Sequence, residues 1–418
     1  MRKFISILVI SLLIGASAYA QYKQTGGYAR VLGMGNNPYI VDPYETTINP
    51  AWAGYYPNFL FGDLGGPTTP TPSPWGSGGT GQFISANFHV GGGLTLGGML
   101  TRNDFNGVSI GRLDPGGIVG QINGAVGAGS VVPLNNNFEL FGSYKSGNSV
   151  FGFGVAYAAT TNETKPSTGT GTLGSATQIG LNAGIITKLT GSIMLDAGAS
   201  VILPSASFEP AAGNKSDFSQ TIIGVNARAF FAYSSKLSFV PSAVFITASG
   251  TGNVAGTSRD LPSATIISFG IGANYSVGDF LLAGGPGFAA VSTTQKSTTT
   301  TPELTTSVFA FPVWNLGVEW NMTDWFVARF GYVALTLKTS TETTATPTTV
   351  NETIVTSYLG PNGASGGGAT VGVGFRFDNF SLDATVNEDV LRQGLNNVGG
   401  NGALAPTFAY LSLSYSIP

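Results

Sequence analysis

The chain offers few side chains that could do chemistry. Of its 418 residues, 9% are charged, one is histidine and none is cysteine. Thiolate metal sites and disulfides are therefore excluded. The single histidine, His89, stands beside Asn87 and a glycine run, without the acidic or serine partner that an outer-membrane protease or phospholipase needs to activate water or serine. We therefore predict no enzyme activity, no bound metal and no cofactor.

In the predicted strands, charged side chains nevertheless occur at the alternate positions that face the interior. A charge inside a barrel must be paired or hydrated. The arginines could pair with acids and brace the interior, or opposite charges could line the constriction of a diffusion porin, and the sequence leaves both open. The interior charges are Glu139, Lys145, Asp196, Arg228, Glu319, Arg329, Arg376 and Asp383.

The elements that would carry these charges are β-strands. In residues 177–189, Ile179 and Leu181 alternate with Gln178 and Asn182, the period-two pattern of a strand with one apolar and one polar face. Charged residues are scarcer than the roughly one quarter found in soluble domains, which disfavours a soluble β-sandwich. We predict an all-β fold: a transmembrane, antiparallel outer-membrane β-barrel of 14–16 strands, because closed barrels pair every backbone group in lipid.

The connections between strands alternate between short and long. Turns such as 190–191 are short, whereas 160–175 and 339–361 are long and rich in Ser and Thr. Aromatic residues cluster beside the short turns, as where Trp320 and Trp325 flank 321–324. Short inner turns, long outer loops and an aromatic girdle are typical of the bacterial outer membrane, and we predict that location, with membrane lipid as a partner.

The first twenty residues read as a secretory signal peptide. Arg2 and Lys3 precede a short apolar run, and Ala18-Tyr19-Ala20 offers a cleavage site. The predicted organisation is a signal peptide at 1–20, an N-terminal hatch at 21–57 and the barrel at 58–418. The formal net charge of −3 provides no basic stripe for nucleic acid, which we exclude as a partner.

One strand is interrupted by Gly284-Gly285-Pro286-Gly287. Proline cannot donate a ladder hydrogen bond and is confined to edges and bulges. The segment predicts a kink in the wall. A bend that only shapes the barrel and a lateral opening into the membrane are both compatible with it.

A compact segment, NPAWAG, precedes the first strand. Asn49-Pro50-Ala51 follows Met34-Gly35 and Asp42-Pro43 in order, and Asn or Asp before Pro favours turns. In this order the segment resembles the start of the FadL-type long-chain fatty-acid and hydrocarbon transporters of the outer membrane, including the related type IX secretion barrels. The resemblance implies that residues 21–57 fold into the lumen as a hatch, with Asn49, Pro50 and Ala51 at its tight bend. Asn36-Asn37 and Trp52-Ala53-Gly54 depart from the family pattern, and beyond residue 58 the likeness is architectural.

The resemblance also carries the expected function. It implies uptake of a hydrophobic small molecule, a fatty acid or hydrocarbon, through the plugged barrel. The alternative is a non-transporting barrel that serves protein secretion or scaffolds secretion-system proteins. A general porin is a third reading, which predicts open conductance without gating.

Overall fold

The computed structural model describes residues 26–65, 83–103, 105, 107–297, 302–344, 349–357, 368–386 and 408–418, without the side chains of 349–357, 408 and 409. Eighteen strands make up one antiparallel sheet. They are β1 (Phe59–Gly65), β2 (Phe83–Gly91), β3 (Leu94–Arg102), β4 (Asn136–Ser146), β5 (Ser149–Thr164), β6 (Thr172–Lys188), β7 (Ile193–Glu209), β8 (Ser216–Ala232), β9 (Leu237–Val254), β10 (Thr257–Asp260), β11 (Ser263–Val277), β12 (Phe280–Gln295), β13 (Leu304–Asn321), β14 (Phe326–Thr343), β15 (Thr349–Ser357), β16 (Gly368–Phe377), β17 (Phe380–Val386) and β18 (Phe408–Ser416).

The sheet closes on itself, because β1 pairs with β18, from Phe59 opposite Ser416 to Gly65 opposite Tyr410. β10 and β11 both pair with β9, at successive levels, and β15 and β16 likewise both pair with β14. β10 and β11 therefore share one strand position in the barrel, and β15 and β16 share another. The eighteen strands thus fill sixteen antiparallel positions. The predicted fold class is confirmed, at the upper end of the predicted range.

The alternation divides outer from inner face as predicted. In β6, Ile179 and Leu181 point outward and are 45% and 48% exposed, whereas Gln178 and Asn182 point inward and are 1% and 6% exposed. Large apolar side chains are exposed on the outside of nearly every strand. An exposed apolar surface of this extent is unusual on a soluble monomer and suits contact with lipid.

Two bands of aromatic rings border this outer surface. Near the short turns, Phe280 stacks on Trp320 with ring centroids 5.3 Å apart. Further up, Phe309 neighbours the rings of Phe288 and Phe311 at 6.4 and 6.5 Å. Phe309 and Trp320 are eleven residues apart on β13, about 36 Å along the strand and about 28 Å along the barrel axis at a strand tilt of about 40°, close to the ~25 Å apolar band of outer-membrane barrels.

Among the described residues, the wall is uneven in height. β5–β9 and β11–β14 contain 15 to 18 residues each. β1–β4 and β16–β18 contain 7 to 11. The tall side therefore extends well beyond the upper aromatic band.

The helices lie on the inner side of the wall. They are α1 (Tyr28–Gly33), two 3-10 helices (Pro43–Thr47 and Pro50–Gly54) and α2 (Ile118–Val126). α1 contacts β14 and β16–β18, and the second 3-10 helix contacts β3–β6, so residues 26–57, hereafter the plug, cross the interior. No helix among the described residues is long and apolar enough to cross a membrane.

Candidate functional site: the filled interior of the barrel

The plug owes its compact shape to two Asx-Pro turns. The Asn49 side chain accepts a hydrogen bond from the Ala51 backbone N–H at 2.9 Å and caps the 3-10 helix that Pro50 begins. The Asp42 side chain likewise accepts a hydrogen bond from the Tyr44 backbone N–H at 2.9 Å and caps the 3-10 helix that Pro43 begins. Both are N-caps, with proline at a position where its missing N–H loses nothing. The three residues of the predicted hatch motif thus form one of two equivalent turns.

The same Asn49 ties the plug to the wall. Its amide donates to Asp196 Oδ1 at 2.7 Å, and the Trp52 indole N–H donates to Oδ2 at 3.1 Å. Asp196 also pairs with Arg228, which faces it on β8, at 2.6 Å. Arg228 reaches in turn to Glu45 of the plug at 2.8 Å. These five residues are called the β7–β8 cluster, and its charges alternate from wall to plug.

A second cluster joins the plug to another part of the wall. Arg30 of α1 donates to Glu319 on β13 at 2.8 Å and pairs with Asp42 at 3.1 Å. Glu319 also accepts from Arg329, its direct neighbour on β14, at 2.7 Å. Arg329 pairs with Asp383 at 2.6 Å. With Arg376, 2.8 Å from Asp383, these residues make up the β13–β17 cluster.

All six interior charges of the sequence prediction from β7 onward therefore have partners of opposite sign. The structure brings them together in two groups rather than in facing rows across an open constriction. What the sequence did not reveal is that the plug supplies part of each group. Its contributions are Arg30, Asp42, Glu45, Asn49 and Trp52.

Burial strongly affects the plug carboxyls. It raises the pKa of Glu45 to about 7, opposed by the charge of Arg228. It also raises the pKa of Asp42 to about 6, opposed by Arg30. Without their arginines these carboxyls would lose the interaction that favours their ionised form. The arginines thus favour the ionised forms of these buried carboxyls, Arg228 of the wall for Glu45 and Arg30 within the plug for Asp42.

Wall glycines let the plug backbone approach closely. A Cβ at Gly152 would overlap the backbone nitrogen of Ala51, and one at Gly331 would overlap that of Gly35. A side chain at either position would push the plug away from the wall. At these two places, glycines of the inner face form the surface on which the plug packs.

The predicted wall kink lies at the third point of plug contact. Register pairs between β11 and β12 are missing where Ile271 and Gly272 face Pro286 and Gly285. Pairing with β13 shifts by one residue just after Gly287. The Tyr39 hydroxyl donates to the Pro286 carbonyl at 3.2 Å.

The wall is thin at the kink and covered on its inner side. The ring of Tyr39 lies against Gly272, and the Asn37 amide donates to the Ala283 carbonyl at 2.9 Å. On the outer side, an apolar groove of about 530 Å³ reaches Gly284 and is lined by Leu282 and other residues of β11–β14. The β11–β12 pairing is thus interrupted for two residues while the pairing of Gly284 to Gly287 with β13 continues, and a lateral opening here stays a prediction.

A second inner segment was missed by sequence reasoning. The connection between β3 and β4 folds into the upper interior, where Ile118 and Ile122 of α2 are buried against inward side chains of β5–β8. Gln178 on β6 donates to the Arg112 carbonyl at 2.7 Å. Asp114 accepts from the Ile118 N–H at 2.7 Å and fixes the start of α2. The only sequence signal was the apolar spacing of residues 118, 119 and 122.

The opposite side of the upper interior is also apolar, and at its margin Ile246 packs against the cluster that contains Ile110 of the β3–β4 connection. Inward positions on β9–β14 carry aliphatic side chains that are only half-buried, although the strand pattern led us to expect small or polar residues there. Because they face inward by register, their exposed area lines space that the described residues leave open within the barrel. We call these side chains the apolar lumen face: Val244, Ile246, Ile266, Val291, Val313 and Leu335.

Comparison with known proteins finds similar solved structures but no similar sequence. No protein-family model matches the chain, and no curated protein sequence matches it. Among solved structures, the toluene transporter TodX of Pseudomonas putida aligns with a TM-score of 0.38 and 11% identity, over 95% of this chain and 100% of that one. The iron transporter FrpB of Neisseria meningitidis aligns with a TM-score of 0.38 and 10% identity, over 81% of this chain and 62% of that one.

A third similar structure is the ferric-catecholate import receptor Fiu of E. coli K12, with a TM-score of 0.35 and 9% identity, over 85% of this chain and 81% of that one. The chain thus spans about three fifths of the length of FrpB. Likenesses this distant carry no argument about substrate. The closed barrel is established by its own strand pairing.

Proposed function

We propose that this protein is a channel of the bacterial outer membrane that takes up small hydrophobic compounds, fatty acids or hydrocarbons, through its plugged barrel. The apolar lumen face is the observation that carries the proposal. Aliphatic groups such as Ile266 and Leu335 face the interior and are only half-buried, where a porin for polar solutes would present polar side chains. An apolar surface left open within a barrel favours a ligand that removes it from water.

The path of such a compound follows from what fills the rest of the interior. The β3–β4 connection covers the β5–β8 side, so the apolar lumen face is the remaining route downward. That route ends at the plug, near Tyr39 and the kink at Pro286. Release requires the plug to shift, and the thin wall beside Gly284 provides a sideways exit toward lipid.

The outer-membrane placement is supported by the apolar outer surface and its two aromatic bands. The FadL-type resemblance of Met34-Gly35, Asp42-Pro43 and Asn49-Pro50-Ala51 supports the hydrophobic substrate class. The role of residues 1–20 as a signal peptide stays a prediction, since they lie outside the described residues, and so does the hatch role of 21–57.

Native mass spectrometry of protein extracted gently from its own membranes tests the proposal. We expect a retained lipophilic molecule that is lost when the lumen face is made polar by Ile246→Asn and Ile266→Asn. The control is Thr247→Asn and Ser249→Asn, two outward positions on β9 that lie outside the groove described below. An empty wild-type barrel that carries a co-purified protein would overturn the proposal in favour of a secretion role.

A further inference from the structure

A groove of about 460 Å³ lies on the outer surface of the tall side, across β11–β14. Its lining is mixed in character, unlike the apolar groove beside the kink. Hydroxyl groups line its upper part and apolar side chains its lower part, with one lysine at the side. The residues concerned are Thr265, Ser292, Ser307, Ile267, Phe309 and Lys338.

The groove is built from two adjacent rows of the sheet. In the upper row Thr265, Ser292, Ser307 and Ser340 stand opposite one another on four neighbouring strands. In the lower row stand Ile267, Ala290, Phe309 and Lys338. Neighbouring strands are about 4.8 Å apart, so the upper row presents a hydroxyl at each of four regular steps.

At these rows the side chains on the outer wall change from apolar to hydroxyl-bearing. Below them lies the apolar belt, whose upper aromatic band includes Phe309, 48% exposed. Above them the hydroxyl character continues, with Thr294 and Thr305 hydrogen-bonded side chain to side chain at 3.1 Å. Sugar rings stack on aromatic faces and exchange hydrogen bonds with hydroxyls, whereas a phospholipid offers mainly its phosphate.

We propose that this groove binds a phosphorylated glycolipid of the outer leaflet. The acyl chains lie on Ile267 and Phe309, the sugars contact the hydroxyls of Ser292 and Ser307, and Lys338 faces a phosphate. The proposal rests on the outer-membrane placement, with the long connections outward, and not on the identity of the transported compound. It concerns the part of the outer face around Ser292 and Ser307, away from the exit proposed beside Gly284, and the uptake route does not use it.

The test titrates the purified full-length protein in detergent with rough lipopolysaccharide and, separately, with phosphatidylglycerol, and reads bound lipid by native mass spectrometry. We expect lipopolysaccharide to bind more tightly. Ser292→Ala with Ser307→Ala removes two hydrogen-bonding groups and weakens its binding about tenfold. Lys338→Gln weakens it about fivefold at low salt. The control, Ser219→Ala with Thr221→Ala, removes two exposed outward hydroxyls on β8 and leaves the affinity unchanged.

Equal affinity for the two lipids would overturn the proposal. So would a loss in the control pair as large as in the groove pair, because binding would then reflect a general hydroxyl surface. Heat-modifiable mobility on gels verifies that each variant is folded. Uptake of a hydrophobic compound into phospholipid-only liposomes needs no glycolipid, so its failure would contradict the proposed function and leave this inference standing.

Discussion

Asp196 and Glu319 each serve both the wall and the plug. Asp196 accepts from Arg228 of the neighbouring strand and from Asn49 and Trp52 of the plug, and it is 3% exposed. Glu319 is likewise 3% exposed and shared between Arg329 and Arg30. A buried carboxylate is tolerated when it is paired and hydrogen-bonded, so the plug helps to satisfy charges that the wall alone would leave incomplete.

Removing one arginine should therefore loosen the plug. Arg228→Met leaves Asp196 and Glu45 without their cation, and breaking a buried pair in this way costs about 3–5 kcal/mol. We expect faster hydrogen exchange of the backbone amides of residues 38–53, measured by mass spectrometry. Lys165→Gln is the matched control, because Lys165 and Glu163 form an exposed pair with side chains 76% and 47% accessible. Unchanged plug exchange in Arg228→Met would contradict the role assigned to the β7–β8 cluster.

The two functions of Asn49 can be separated by substitution. Asn49→Ser keeps an oxygen that can cap Ala51 but lacks the amide that donates to Asp196. Asn49→Ala lacks both, and loss of an N-cap alone costs about 1 kcal/mol. We expect hydrogen exchange of the plug to quicken in the order wild type, Asn49→Ser, Asn49→Ala. Identical exchange in Asn49→Ser and Asn49→Ala would show that the cap does not stabilise the bend.

At the scale of elements, the plug backbone packs directly on glycines of the wall. Gly152→Ala places a methyl group where the Ala51 nitrogen lies, and overpacking of this kind costs about 1–3 kcal/mol. We expect a lower thermal unfolding midpoint in detergent. Gly191→Ala is the control, because a Cβ there meets nothing within 4 Å. Equal midpoints in the two variants would mean that the plug can retreat from β5 without loss.

The strands were predictable because each one repeats the same rule. In β6 from 179 to 185 and in β7 from 193 to 203, every second residue is apolar and faces outward, so the period-two signal accumulates along each strand. The clusters were not predictable in full, since Arg30 and Glu319 are 289 residues apart in sequence. The β3–β4 connection escaped notice because its Gly, Asn and Ser content is that of a surface loop, and only the barrel around it makes Ile118 and Ile122 buried.

At the scale of the molecule, the segments inside the barrel divide its interior into a lower and an upper part. The plug fills the lower interior and is fixed on three sides, by the β7–β8 cluster, the β13–β17 cluster and the contacts of Asn37 and Tyr39 with the kinked wall. The tall side carries both the apolar lumen face within and the mixed groove outside. In the proposed function, passage therefore requires the plug to leave these contacts.

Tethering the plug tests that dependence most directly, and the absence of cysteine gives a clean background. Gly54 of the plug faces Ser143 of β4, and a Cβ built on Gly54 lies 3.7 Å from the Ser143 Cβ, a separation that a disulfide spans. The measurement is uptake of a radiolabelled fatty acid into proteoliposomes by Gly54→Cys with Ser143→Cys, oxidised and then reduced, with Gly54→Cys alone as control. We predict that oxidation lowers uptake to the leak of protein-free liposomes and that reduction restores it. Equal uptake in both states would contradict a gated hydrophobic channel.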